Sequence, residues 1–290
     1  MKPGFSLESA RPQAPRPDLP FHVWTLPDGS VWTEFFRSAA GYLLRFPDLA
    51  DFAVAADGLS VTCAPAPDAD EATSRHLYLN QVQPLVQSMQ GKLVFHASAV
   101  EIADHAIAFV AESGRGKSTL AAGFALGGYR FLADDGMLVE SVGGGYQVLP
   151  SHPSIRLWDD SEAALIPSGT EAAPALAYTS KSRFLAGSEI AYCGQPQPLR
   201  RAYFLGSGRA SGVVFRRMSA AEALLEWVKH AFLLDIEQRP LLASHFDELA
   251  RLANHASCFH LDYPRRFEDL AQVRQAIAAH ALTEEYAECA

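Results

Sequence analysis

AIAFVAESGRGKSTLAAGF, residues 106–124, holds the strongest local signal in the chain. An apolar run at 106–110 predicts a buried strand. Gly114 and Gly116 then punctuate a loop, and Lys117-Ser118-Thr119 opens a helix predicted over 117–126 and closed by Gly127-Gly128. Glycines tolerate the backbone angles that turn successive N–H groups inward, so such a loop forms a concave nest for an anion. The helix N-terminus adds unpaired N–H groups and the positive end of its dipole. Lys117 is placed to reach β- and γ-phosphates, and the Ser118 hydroxyl to ligate Mg²⁺. One position departs from the full G-x-x-x-x-G-K-[ST] pattern: Ala111 stands where its first glycine belongs. Residues 112–119 (Glu112, Ser113, Gly114, Arg115, Gly116, Lys117, Ser118 and Thr119) are the candidate nucleotide-binding set. Glu112 is near enough to meet a metal or a ribose.

Two stretches flank this loop. Downstream, FLADD at 131–135 reads as a strand ending in Asp134-Asp135. One carboxylate can hold Mg²⁺ through its water shell and another can accept the proton of an attacking hydroxyl. An Asp-Asp-Gly turn that merely opens the next hairpin is the plainer alternative. Upstream, LVFHASAVEI at 93–102 reads as a strand joined to 106–111 by a tight turn at Ala103-Asp104-His105. His96 within it is either a hydrogen-bonded core residue or a group acting on the site.

The remainder of the chain divides by pattern. An extended, proline-rich arm is expected at 1–20. A β-rich segment at 21–90 begins with FHVWTLPDGSVWTEFF, a hairpin around Pro27-Asp28-Gly29, with further turns at Pro47-Asp48 and Asp57-Gly58. A linking helix is predicted from Thr73 to Gln90, because Tyr78, Val82, Leu85, Val86 and Met89 share one face. Pro84 should kink it and Gly91 should end it. The core at 91–215 includes a hairpin closed at Gly143-Gly144-Gly145. Residues 216–290 read as helical, beginning with a capping box of Ser219 and Glu222 and a helix through Trp227 and Phe232. That last segment is expected to be a packing layer.

Composition narrows the function. Of 290 residues, 49% are hydrophobic and 20% charged, as in an ordinary globular protein. No apolar run is long enough to span a bilayer, so no membrane role is expected. The first residues carry no apolar h-region, so a cytoplasmic location is expected. Net charge is −9, which disfavours nucleic acid as the main partner. The four cysteines (Cys63, Cys193, Cys258 and Cys289) are too scattered for a zinc site and read as free thiols. No Gly-x-Ser-x-Gly elbow or His-Glu-x-x-His helix occurs. His76, His152, His230, His245, His255 and His260 read as structural, and Trp158 as a buried aromatic.

The succession FHASAV, AESGRGKST and FLADD resembles bacterial HPr kinase/phosphorylase and its HPr-kinase-like relatives. The likeness covers about residues 91–140. It implies an α/β chain, α+β overall, with a P-loop core whose mixed sheet is similar to those of the HPr kinase C-terminal domain and of phosphoenolpyruvate carboxykinase. It implies ATP and Mg²⁺ as cofactors, Lys117 on the phosphates, Ser118 and Asp134 on the metal, Asp135 as base, and His96 beside the transferred group. It implies a kinase acting on a hydroxyl of a small protein or peptide. The family's Glu-Ile-Arg-Gly stretch has its nearest counterpart in PSIRLW at 153–158, where Ser154 replaces the metal-binding glutamate. Its phosphorolysis arginine has no match. Neither phosphorolysis nor HPr as acceptor is therefore carried over. Arg156 and Lys181 are either phosphate or substrate contacts or ordinary surface cations. The segment before residue 91 is similar to HPr-kinase-like proteins of modified-peptide biosynthesis, including lasso-peptide systems. A nucleotide sensor without transfer and a small-molecule kinase remain open, as do ATP against GTP and a homo-oligomer.

Overall fold

The structure, a computed structural model, describes residues 3–283, so Cys289 lies outside the described residues. It is a mixed α/β fold with several sheets, and it separates into two compact units. One takes the chain up to Lys92 together with Pro174–Thr179 and Leu233–Leu241. The other takes Leu93–Ala173, Ser180–Phe232 and the chain from Leu242 onward.

The first unit is built on β1 (Gly4–Leu7), β2 (His22–Thr25), β3 (Val31–Ser38), β4 (Gly41–Phe46), β5 (Ala50–Ala55) and β6 (Ser60–Pro65). These form one sheet in the order β1-β6-β5-β4-β3-β2. The expected hairpin is β2–β3, and Pro47-Asp48 and Asp57-Gly58 turn the chain as expected. The arm is extended at Gly4 to Leu7, which add in parallel to β6, and the Phe5 ring stacks on Tyr78 at 4.1 Å. The linking helix is broken. α1 (Glu71–Leu77) gives way to a π-helical turn, Tyr78–Val82, before α2 (Gln83–Met89). Pro84 has no N–H to continue the ladder, and the wider turn ahead of it accommodates the loss. The helix stops where Gly91 and Lys92 donate backbone N–H groups to Ser88 and Gln87 carbonyls. Leu77, Val82, Leu85 and Val86 are fully buried.

The second unit continues with β7 (Leu93–Phe95), β8 (Ala97–Ile102), β9 (His105–Val110), α3 (Lys117–Leu126), β10 (Arg130–Ala133), β11 (Met137–Val142), β12 (Gly145–Leu149) and β13 (Ser154–Leu157). It then runs through α4 (Asp159–Leu165), β14 (Ser182–Leu185), β15 (Gln197–Leu205), β16 (Val214–Arg217), α5 (Ala220–His230), α6 (Arg239–His255), β17 (Ser257–Asp262) and α7 (Leu270–Leu282). Its main sheet runs β10-β8-β9-β15-β12-β11-β7, and β15 also carries β17, which carries β16. β9, β15 and β17 are parallel, with antiparallel strands around them. β8 and β9 are almost wholly buried, so the apolar run at 106–110 is a central strand with no polar face.

Three sequence expectations change in this unit. The single strand at 93–102 is two strands: Phe95 pairs with Met137 and Ala97 with Val110, so the break falls at His96. The stretch from 216 is not only helical, because β17 lies in the main sheet and β16 spans the boundary drawn at 215. Finally, α5 ends at His230, and Phe232 donates its backbone N–H to Val94 instead of extending the helix. The capping box of Ser219 and Glu222 is present.

Helix α3 is held between sheet and helix. Residues 120–125 are buried, and a Cβ at Gly123 would stand 2.9 Å from Leu270 of α7. Arg274 of α7 donates to the Gly123 carbonyl at 2.8 Å. This close packing fixes the helix N-terminus, and with it the loop.

Candidate functional site

β9 delivers the chain into the glycine-rich loop at Ala111. Gly114 and Gly116 take φ values of 76° and 89°, the left-handed region in which a Cβ is strained. The space beside Gly114 is open, whereas a Cβ at Gly116 would stand 3.4 Å from the Tyr263 hydroxyl. α3 begins directly after, so the loop and the first helical turn present their N–H groups together. The Lys117 ammonium folds back and donates to the carbonyls of Ala111 at 2.7 Å and Glu112 at 2.9 Å. Burial pushes its pKa down to about 8, against the opposing pull of Asp135 and Asp134.

Asp134 and Asp135 stand just past the end of β10. Both are buried; Asp134 reaches the loop's helix at Ser118, and Asp135 reaches Arg156 of β13. Asp134 Oδ1 accepts from Ser118 Oγ at 2.8 Å and from Ser98 Oγ at 2.6 Å, while Oδ2 accepts from the Arg156 backbone N–H at 3.2 Å. Burial and the adjacent Asp135 charge raise its pKa against these three bonds. Asp135 accepts from Arg156 Nε at 2.7 Å, and the Arg156 terminal nitrogen closes a second contact with the same oxygen. Burial pushes Asp135 up, but the Arg156 charge, joined by His96 and Lys181, outweighs it and holds the carboxyl well below the usual range. Asp135 also has φ 63°, unusual for a residue other than glycine and worth about 1–3 kcal/mol of strain. His96 Nε2 lies 3.9 Å from Asp135 Oδ1, beyond hydrogen-bond reach but close enough to share the site.

The loop, Asp135 and Arg156 open on a cavity of about 190 Å³. Of the candidate residues, His96, Ser113, Gly114, Gly116, Lys117, Ser118, Thr119, Asp135, Arg156 and Lys181 line it. Asp134, Glu112 and Arg115 do not: Asp134 is bonded behind Ser118, and Glu112 and Arg115 pair with one another at 3.4 Å and border a second cavity. Thr119 Oγ1 lies 3.0 Å from Ser161 Oγ of α4. Sequence reading missed the rest of the wall: Asp160 and Ser161 of α4, and Tyr263, Arg265, Arg266 and Phe267 after β17. The C-terminal stretch thus supplies site residues as well as packing. The available signal was LDYPRRF at 261–267, because a strand parallel to β9 ends there and ligands gather at the carboxyl ends of parallel strands. Trp158, read as buried, is 46% exposed at the rim, with Lys181 Nζ 5.1 Å over its ring.

With five cations (Lys117, Arg156, Lys181, Arg265 and Arg266) against Asp135 and Asp160, the cavity is suited to a polyanion despite the chain's net charge.

No family model matches the chain, and no curated protein matches it. Among solved structures it is similar to the HPr(Ser) kinase/phosphatase from Coxiella burnetii. That likeness covers 65% of this chain and 96% of the other, at 9% identity and a TM-score of 0.37.

The remaining sequence expectations concern cysteines and membranes. Among the described residues Cys63, Cys193 and Cys258 are buried and form no disulfide. Among the described residues no helix is long and apolar enough to cross a membrane.

Proposed function

We propose that this chain is an ATP-dependent kinase that moves the γ-phosphoryl group to a hydroxyl, a serine on a small protein or precursor peptide. The observation that carries this reading is the 2.8 Å bond from Ser118, the first-turn hydroxyl of the loop's helix, to buried Asp134. A loop that binds phosphate for its own sake needs no carboxylate at that hydroxyl. A hydroxyl and a carboxylate at one point suit Mg²⁺, which takes one or two protein oxygens and fills its shell with water and phosphate. Among the described residues no cluster of three or more His, Cys, Asp or Glu could hold a metal alone, so the ion would be shared with the nucleotide. Bound there, Mg²⁺ would neutralise charge on the phosphates.

The chain's own groups then take these roles. Lys117 and the loop N–H groups hold the phosphates, and Arg156 and Lys181 face the cavity as further positive charge. Asp135, kept ionised by Arg156, accepts a hydrogen bond and finally the proton from the attacking hydroxyl. A strong base is not needed, because phosphoryl transfer has a loose transition state and rests on positioning and electrostatics. His96 stands beside Asp135 and the transferred group. The setting we favour is modified-peptide biosynthesis of the lasso type, on the resemblance of the segment before residue 91.

A second reading draws on the Asp135–Arg156 pair: a nucleotide-binding regulator in which Asp135 is a structural anchor. Labelled ATP and serine-containing peptides separate the two. Asp135→Asn preserves the left-handed backbone, which asparagine tolerates. The kinase reading expects it to lower transfer by about 10²–10⁴-fold, the usual share of a proton acceptor, with ATP binding largely kept. Near-normal transfer would remove Asp135 from the base role, and label that never reaches an acceptor would favour the regulator.

A further inference from the structure

A second cavity, of about 690 Å³, borders the same loop. One face of α5 forms part of it: Glu222, Leu225, Glu226 and Lys229 follow at i, i+3, i+4 and i+7. The end of β15 and Arg216 of β16 contribute further walls. His96 and Ser113 line both cavities. The wall they share is tied to the end of α5, because the His96 backbone N–H donates to the His230 carbonyl at 2.8 Å.

The two cavities differ in charge. The first carries unbalanced positive charge, as a triphosphate needs. In the second, Arg115 pairs with Glu112 at 3.4 Å, Arg216 with Glu222 at 2.9 Å and Lys229 with Glu226 at 2.5 Å. Its field is therefore near neutral and does not favour a second phosphate compound. Phe204, Met218 and Leu225 supply apolar surface, and Leu225 is 63% exposed with no role in the core. The cavity is the larger of the two, beyond the needs of a small alcohol. Among the described residues β16 has β17 as its one strand partner.

We propose that this second cavity is the acceptor site and that it takes a polypeptide segment of low net charge carrying a serine or threonine hydroxyl. This rests on the phosphoryl-transfer reading above. The hydroxyl enters past His96 and Ser113. Its oxygen bonds to the γ-phosphorus as the bond to the β,γ-bridging oxygen breaks. ADP leaves with that electron pair, and the hydroxyl proton passes to Asp135.

The test uses the full chain, labelled ATP and a pool of synthetic peptides randomised around a fixed central serine. Leu225→Arg and, independently, Arg216→Ala are compared with the unaltered protein, with thermal melting to confirm folding. The expected result is a KM for the peptide pool raised at least about tenfold by Leu225→Arg, with the Kd for ATP changed by less than about twofold. Arg216→Ala should move KM in the same direction. An unchanged peptide KM in both variants would overturn the acceptor site while leaving the kinase reading in place. If the unaltered protein ignores the pool but phosphorylates glycerol or another small alcohol, the polypeptide assignment is overturned. If label reaches no acceptor although ATP binds, the kinase reading fails and takes this proposal with it.

Discussion

Lys117 shows how much of the site a single residue can reveal and how much it cannot. Its place after Gly116 announces a phosphate ligand, and the structure finds its ammonium buried against the Ala111 and Glu112 carbonyls. Burial brings its pKa to about 8. A lysine with a depressed pKa is charged below that value and neutral above it. ATP affinity, followed by calorimetry, should therefore be full near pH 7 and weaken as pH rises through about 8, with proton uptake on binding in that range. Lys117→Ala should weaken ATP binding by roughly 10–100-fold, as expected for loss of a charged hydrogen bond, and should flatten the pH profile. By contrast, the pairing of Asp135 with Arg156 was not legible. The residues stand far apart in sequence, and only the fold brings the β13 backbone beside the end of β10.

At the scale of elements, local chemistry was legible wherever it is local in sequence. The Ser219–Glu222 capping box, the two-residue turns and the helix from Lys117 to Leu126 follow from adjacent residues. Ser219→Ala removes the side-chain acceptor for the Glu222 N–H and should cost about 1 kcal/mol, read as a lowered melting midpoint with ATP binding intact. Strand partners were harder. The apolar run at 93–102 does not alternate, because β7 and β8 are buried on both faces, so nothing in its pattern marks the change of partner at His96. β17 was hidden for a related reason. It is a short strand between two amphipathic helices, and its neighbours β15 and β16 are supplied from elsewhere in the chain. The π-helical turn before Pro84 was legible only as a kink, since a proline marks a disturbed ladder without saying how the ladder adjusts.

Over the whole molecule, charge separates from composition. A net charge of −9 says nothing of the cationic cavity, because acidic residues elsewhere outnumber the lysines and arginines gathered there. The site draws on the ends of β9, β10 and β17, on β13 and on α4, elements spread from His96 to Leu270. The part of the cavity wall carried by contiguous motifs is marked in the sequence, and the part that sheet order assembles is not. In the proposed kinase the loop, Ser118 and Asp134 would together hold a metal-bound triphosphate. Calorimetric titration of ATP into the full chain, with and without Mg²⁺, tests it most directly when paired with Asp134→Asn and a melting control. Mg²⁺ should tighten ATP binding to the unaltered protein, and Asp134→Asn should abolish this gain while retaining metal-free binding. Equal dependence on Mg²⁺ in both proteins, or no ATP binding to the unaltered protein, would contradict it.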